Sequence, residues 1–103
     1  MTDDLLTNEL ARVMGWRLAP GRFILSGRRW IPRSGFRPLT DERDAFRVLD
    51  TVSRDCSLTI RGGQCTVEVR AEGKVSRASS PSKARAITMA VARLVGVKEE
   101  GRA

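Results

Sequence analysis

The chain has no histidine and no tyrosine, and its aromatic residues are three phenylalanines and two tryptophans in a length of 103. Without histidine there is no Ser–His or Cys–His nucleophile pair and no ordinary proton shuttle near neutral pH, and most zinc sites are excluded. The two cysteines, Cys56 and Cys65, are too few for a thiolate metal centre or a disulfide scaffold. No stretch approaches the ~20 consecutive apolar residues that span a bilayer. The opening MTDDLL is acidic and lacks the basic start and apolar run of a secretory signal, which predicts a cytoplasmic protein. Nor is there a glycine-rich phosphate loop, an internal repeat or a low-complexity segment. Together these absences argue against an enzyme, and no cofactor or metal is expected.

What is present is positive charge. Nineteen Lys and Arg stand against twelve Asp and Glu, a net +7 with an isoelectric point near 11.0. Such a field attracts polyanions, chiefly nucleic acid or an acidic protein surface. Arginine outnumbers lysine 16 to 3, however, and an arginine-rich codon usage would also place Arg wherever a solvated charge will serve.

The apolar residues are few but patterned. Leu5, Leu6, Leu10, Val13 and Met14 fall at helical spacing behind a Thr2 cap and the acidic pair Asp3 and Asp4, and Gly15 ends that helix. Trp16, just past the glycine, is expected to fold under the last turn as a core anchor. "RFILS" (22–26) and "RWI" (29–31) read as a weak hairpin, with Pro32 and Gly35 interrupting any further strand. Thr40 is expected to cap a second helix whose apolar face is Ala45, Phe46, Val48, Leu49 and Val52. Asp41, Glu42 and Asp44 are read as first-turn charges rather than metal ligands, because neighbouring helical positions diverge.

"CSLTIRGGQCTVEVRA" carries the clearest local signal. Gly62-Gly63 suits a two-residue turn in which both centres need positive φ. That turn sets Arg61 opposite Gln64, Ile60 opposite Cys65, Leu58 opposite Val67 and Cys56 opposite Val69. One face is then wholly apolar and expected in the core, and the other is wholly polar, so the register is strongly specified. Cys56 and Cys65 lie about four ladder steps apart, roughly 13 Å. They are expected to be reduced core thiols, since a disulfide needs Cα atoms within about 7 Å. Glu72-Gly73 turns the chain into a third strand, and Ser80 with Pro81 is expected to open a third helix bearing Ala84, Ile87, Val91, Leu94 and Val95. Residues 1–96 thus read as one α+β domain, a small antiparallel sheet packed with three helices, and 97–103 as a disordered tail.

Three segments, "NELARVMGW" (8–16), "FRPLTDERDAFRVLDTV" (36–52) and "ASSPSKARAITMAVARLVG" (78–96), together resemble the phage ABA sandwich domain family. In that family a helix ends in V-M-G-W, a W-x-P-S-T-D-like segment opens the next, and T-A/P-x-A-I-x-x-A-x-L forms the last. Phe36 replaces the usual Trp here, Leu39 replaces Ser, and the arginine-rich stretch from Arg28 to Arg37 departs from the pattern. The resemblance implies an α/β/α-type sandwich encoded by a phage or prophage and working in the bacterial host's cytoplasm. It implies no activity, because the family is a domain of unknown function and its matched residues are caps, stops and core positions.

Functional character concentrates in "GRFILSGRRWIPRSGFRP" (21–38). Arg22, Arg28, Arg29, Arg33 and Arg37 interleave there with Phe23, Trp30 and Phe36. Arginine's planar fork fits phosphate, and an exposed ring stacks on an unpaired base. The competing reading buries all three aromatics as alternate residues of the hairpin, and it is preferred for the rings. Arg61 and Arg70 are placed beside this surface as further candidates. Three functions stay open: a basic module contacting DNA or RNA, a phage-encoded inhibitor binding an acidic host protein that handles nucleic acid, and a self-associating structural protein. The oligomeric state, monomer or homodimer, is left open with them.

Overall fold

The computed structural model describes residues 3–53 and 55–96, so the Thr2 cap and the expected tail at 97–103 lie outside the described residues. The Gly62-Gly63 turn forms as its composition demands, with φ of 58° and 78° at the two glycines. It joins β4 (Asp55–Arg61) to β5 (Gln64–Ala71) in the expected register, from Arg61 opposite Gln64 to Cys56 opposite Val69. Strand β6 (Lys74–Ser80) returns through Glu72-Gly73 and completes a three-stranded antiparallel sheet in the order β4-β5-β6.

Helix α3 (Lys83–Leu94) covers the apolar face of β5 and β6. Ala84, Ala86, Ile87, Ala90 and Val91 are buried there together with Cys65, Val67, Val69 and Ala78. The helix starts later than expected. Ser79 and Ser80 remain in β6, opposite Thr66 and Cys65, and Ser82 is the N-cap, its hydroxyl accepting from the Arg85 amide at 3.3 Å. Pro81 therefore lies in the turn between strand and cap, because the β6 ladder claims Ser80, which local capping rules would give to the helix.

The expected burial of β4 fails. Cys56, Leu58 and Ile60 share the apolar face with Cys65, Val67 and Val69, yet every residue of β4 is exposed. A helix is about 10 Å wide and strands are spaced about 4.8 Å apart, so one helix shelters about two strands. Both cysteines are free thiols, as expected, but only Cys65 belongs to the core.

Helix α2 (Glu42–Val52) packs along α3 and buries Ala45, Val48 and Leu49, leaving Phe46 exposed. Its cap is Asp41 rather than Thr40: the Asp41 carboxylate accepts from the Arg43 amide at 2.9 Å, while Thr40 is held in the preceding turn by Arg37 O. Asp44 reaches back to accept from the Arg37 amide at 2.8 Å, and Glu42 pairs with Lys83 of α3 at 3.3 Å. The acidic first turn is thus a set of fasteners, in line with its reading as first-turn charge.

Helix α1 (Asp3–Val13) ends in a double cap. The Trp16 amide donates to Ala11 O and the Gly15 amide to Arg12 O, with Gly15 at φ 85°. Leu6, Leu10 and Ala11 are buried, whereas Leu5 of the expected stripe is exposed. That cap drops Trp16 into the core against Phe36 at 4.9 Å and Phe23 at 6.2 Å, the latter two 5.7 Å apart. The rings meet tilted or edge-on, the geometry their quadrupoles favour.

The N-terminal strands form a sheet of their own, where the sequence suggested one small sheet throughout. Its order is β1 (Arg17–Ala19), β2 (Arg22–Ser26), β3 (Arg29–Pro32), each pairing antiparallel with the next, and a short 3-10 turn over Arg33–Gly35 follows. β1 has only three residues before Pro20, too few to show a period of two. The α+β class holds: three helices and two three-stranded antiparallel sheets around a shared cluster of apolar side chains.

Candidate basic interface

One irregularity decides what the first hairpin presents. A regular two-residue turn at Gly27-Arg28 would set Leu25 opposite Trp30 and put Phe23 and Trp30 on the same side. Instead the register jumps between Ser26–Arg29 and Ile24–Trp30, leaving Leu25 as the extra residue of a β-bulge. Phe23 then faces inward with Ile31 and is fully buried, while Trp30 turns outward with Ile24 and keeps 53% of its surface exposed. The preference for burying all three rings is therefore right for Phe23 and Phe36 and wrong for Trp30.

On this outer face the Arg22 guanidinium lies over the Trp30 ring, 5.2 Å from its centroid. Arg22, Ile24, Gly27, Arg28 and Trp30 line a shallow cleft of about 260 Å³. Arg29, exposed at the head of β3, alternates with Trp30 to the opposite face and stands apart from this cleft. Among the described residues, no carboxylate lies within ion-pair distance of Arg22, Arg28 or Arg29. A cation stacked on an exposed ring, with further guanidiniums along the rim, can hold phosphate and a flat ring together.

The other candidates separate. Arg33 stacks over the buried Phe23 at 5.3 Å, and it lines with Arg37 a second cleft of about 370 Å³ that also holds Asp3 and Asp4. Asp4 offsets part of the positive charge there, while Asp3 pairs with Arg85 at 2.7 Å. Arg61 and Arg70 belong to the second sheet. Arg70 is committed to its own strand neighbours, with Asp55 at 2.9 Å, Glu68 at 2.7 Å and the Ser57 hydroxyl at 3.1 Å. Its pairing with Asp55 raises an already high pKa. Glu68 also takes a hydrogen bond from Arg77 at 2.7 Å, and this bond, with the charges of Arg70 and Arg77, holds its carboxyl below the usual range.

Sequence reading missed Arg17. It sits in register with Ile24, which in turn pairs with Trp30, so all three share the outer face. The signal was local: Trp16 is drawn into the core, and in an extended chain the next side chain must point away. Among the described residues no three His, Cys, Asp or Glu side chains group to hold a metal ion, and no helix is long and apolar enough to cross a membrane.

No family model and no curated protein matches the chain. Among solved structures it is similar to a phage protein from Bacillus cereus, with a TM-score of 0.68 over 88% of this chain and 89% of that one. The two share 18% of their residues, so the likeness is one of fold.

Proposed function

We propose that this protein is a non-enzymatic phage or prophage accessory protein of the ABA sandwich kind that binds single-stranded nucleic acid through the outer face of its first sheet. The phage origin of a protein of the same fold supports the first part, alongside the sequence resemblance. The second part rests on one observation: Trp30 is held in solvent by a bulge, under Arg22 and beside Arg28. Exposing an indole is unfavourable unless something covers it, and unpaired bases stack on such rings at about 1–3 kcal/mol each. An acidic protein surface would engage the same arginines without needing the ring. The experiment is fluorescence anisotropy with a labelled single-stranded oligonucleotide at low salt, comparing wild type, W30L and R22E/R28E. Both variants are expected to lose affinity. Loss with the charge reversals alone would move the reading to an acidic protein partner, and no binding by wild type would end it.

A further inference from the structure

The uncovered strand β4 offers a second surface, on the other sheet and independent of the hairpin. It is an edge strand, paired to β5 on one side only. Sheet edges are normally protected by shortness, bulges, proline, lysine or a covering element. β1 is three residues long, β3 ends in Pro32, and β6 lies under α3, with Ser76 donating to Ala90 O and Arg93 donating to Arg77 O. β4 has none of these: seven residues, a ladder without a bulge, and Leu58 and Ile60 exposed at 37% and 63% on its apolar face.

Its sequence, Asp-Cys-Ser-Leu-Thr-Ile-Arg, complements itself when read in the opposite direction. Antiparallel pairing of two copies about a two-fold axis through Leu58 sets Leu58 against Leu58, Cys56 against Ile60, Ser57 against Thr59 and Asp55 against Arg61. Apolar residues then meet apolar ones on one face, and hydroxyls and opposite charges meet on the other. An isologous interface demands this reciprocity, in which residue i meets j and j meets i. Arg61 has no carboxylate partner among the described residues, and Arg70 engages only Oδ1 of Asp55, leaving Oδ2 for a second guanidinium. We infer that β4 is a homodimerisation edge, joining two copies of this chain into a continuous six-stranded sheet centred on Leu58 and closed at each end by an Asp55–Arg61 pair.

Light scattering on the wild-type chain over a wide concentration range should show a dimer. L58K places two like charges face to face on the axis and should weaken association on the order of tenfold or more, with the monomer's circular dichroism unchanged. R61E sets Glu against Asp55 at both ends and should weaken it as well. L58C in a C56S background should form a disulfide-linked dimer on mild oxidation, because the paired Cα atoms would be about 5 Å apart. A wild-type monomer at roughly millimolar concentration overturns the proposal, as does a dimer indifferent to L58K and R61E, or an L58C/C56S variant that stays uncrosslinked while dimeric.

Discussion

Phe36 shows how one side chain ties three parts of the chain together. It is 1% exposed, with Trp16 edge-on at 4.9 Å and Phe23 at 5.7 Å, so α1's exit, β2 and the approach to α2 converge on it. Phe36→Ala should cost about 3–5 kcal/mol, the range for deleting a fully buried aromatic side chain, measured by urea denaturation. Glu68 makes a test of a different sort. Its hydrogen bond from Arg77, with the nearby Arg70 and Arg77 charges, depresses its pKa in the folded state. That stabilisation is present above the ordinary glutamate value and is lost as pH falls through the depressed one. Acid unfolding should therefore be shallower across this window in E68Q than in wild type, as followed by thermal melts at stepped pH. The core roles of Trp16, Phe23 and Phe36 could be read from spacing and caps, whereas the hydrogen-bonded pairing of Glu68 with Arg77 needed the β5–β6 register, which the sequence left unassigned.

At the scale of elements, the two hairpins were unequally legible. Gly62-Gly63 fixes the β4–β5 turn, and strict alternation on both sides fixes the register, so the pairing follows residue by residue. The β2–β3 hairpin has no such alternation; whether Trp30 faces the core or solvent depends on a single extra residue, Leu25, which composition does not mark. Deleting Leu25 should remove the bulge while leaving Ile24 opposite Trp30 and Phe23 opposite Ile31, so Trp30 stays on the outer face. The fraction of tryptophan emission open to acrylamide quenching should therefore hold, since Trp30 stays exposed and Trp16 stays buried. A fall in that fraction would mean that the Ile24–Trp30 pairing is not what holds the indole out. Helix boundaries were missed by one or two residues for a related reason. Thr40 and Ser80 are good caps in isolation, but the turn at Arg37 and the β6 ladder claim those residues first.

For the molecule as a whole, net charge was the most visible property and the least informative about place. The positive field is not uniform. On the second sheet Arg70 and Arg77 are drawn into pairs with Asp55 and Glu68, and the cleft lined by Arg33 and Arg37 includes Asp3 and Asp4. Beside Trp30 on the outer face of the first sheet, Arg22 and Arg28 have no carboxylate at ion-pair distance among the described residues. The unsheltered β4 edge could not have been foreseen, because nothing in an amphipathic pattern says how many strands a single helix will cover. The most direct test of the account is the salt dependence of binding to single-stranded DNA for wild type and for the R22Q/R28Q variant. Each phosphate contact adds about 0.7 to the magnitude of the slope of log K against log salt concentration. Removing two should therefore flatten the slope by about 1.4 if both arginines contact phosphate. An unchanged slope would contradict the assignment of this face as the binding surface.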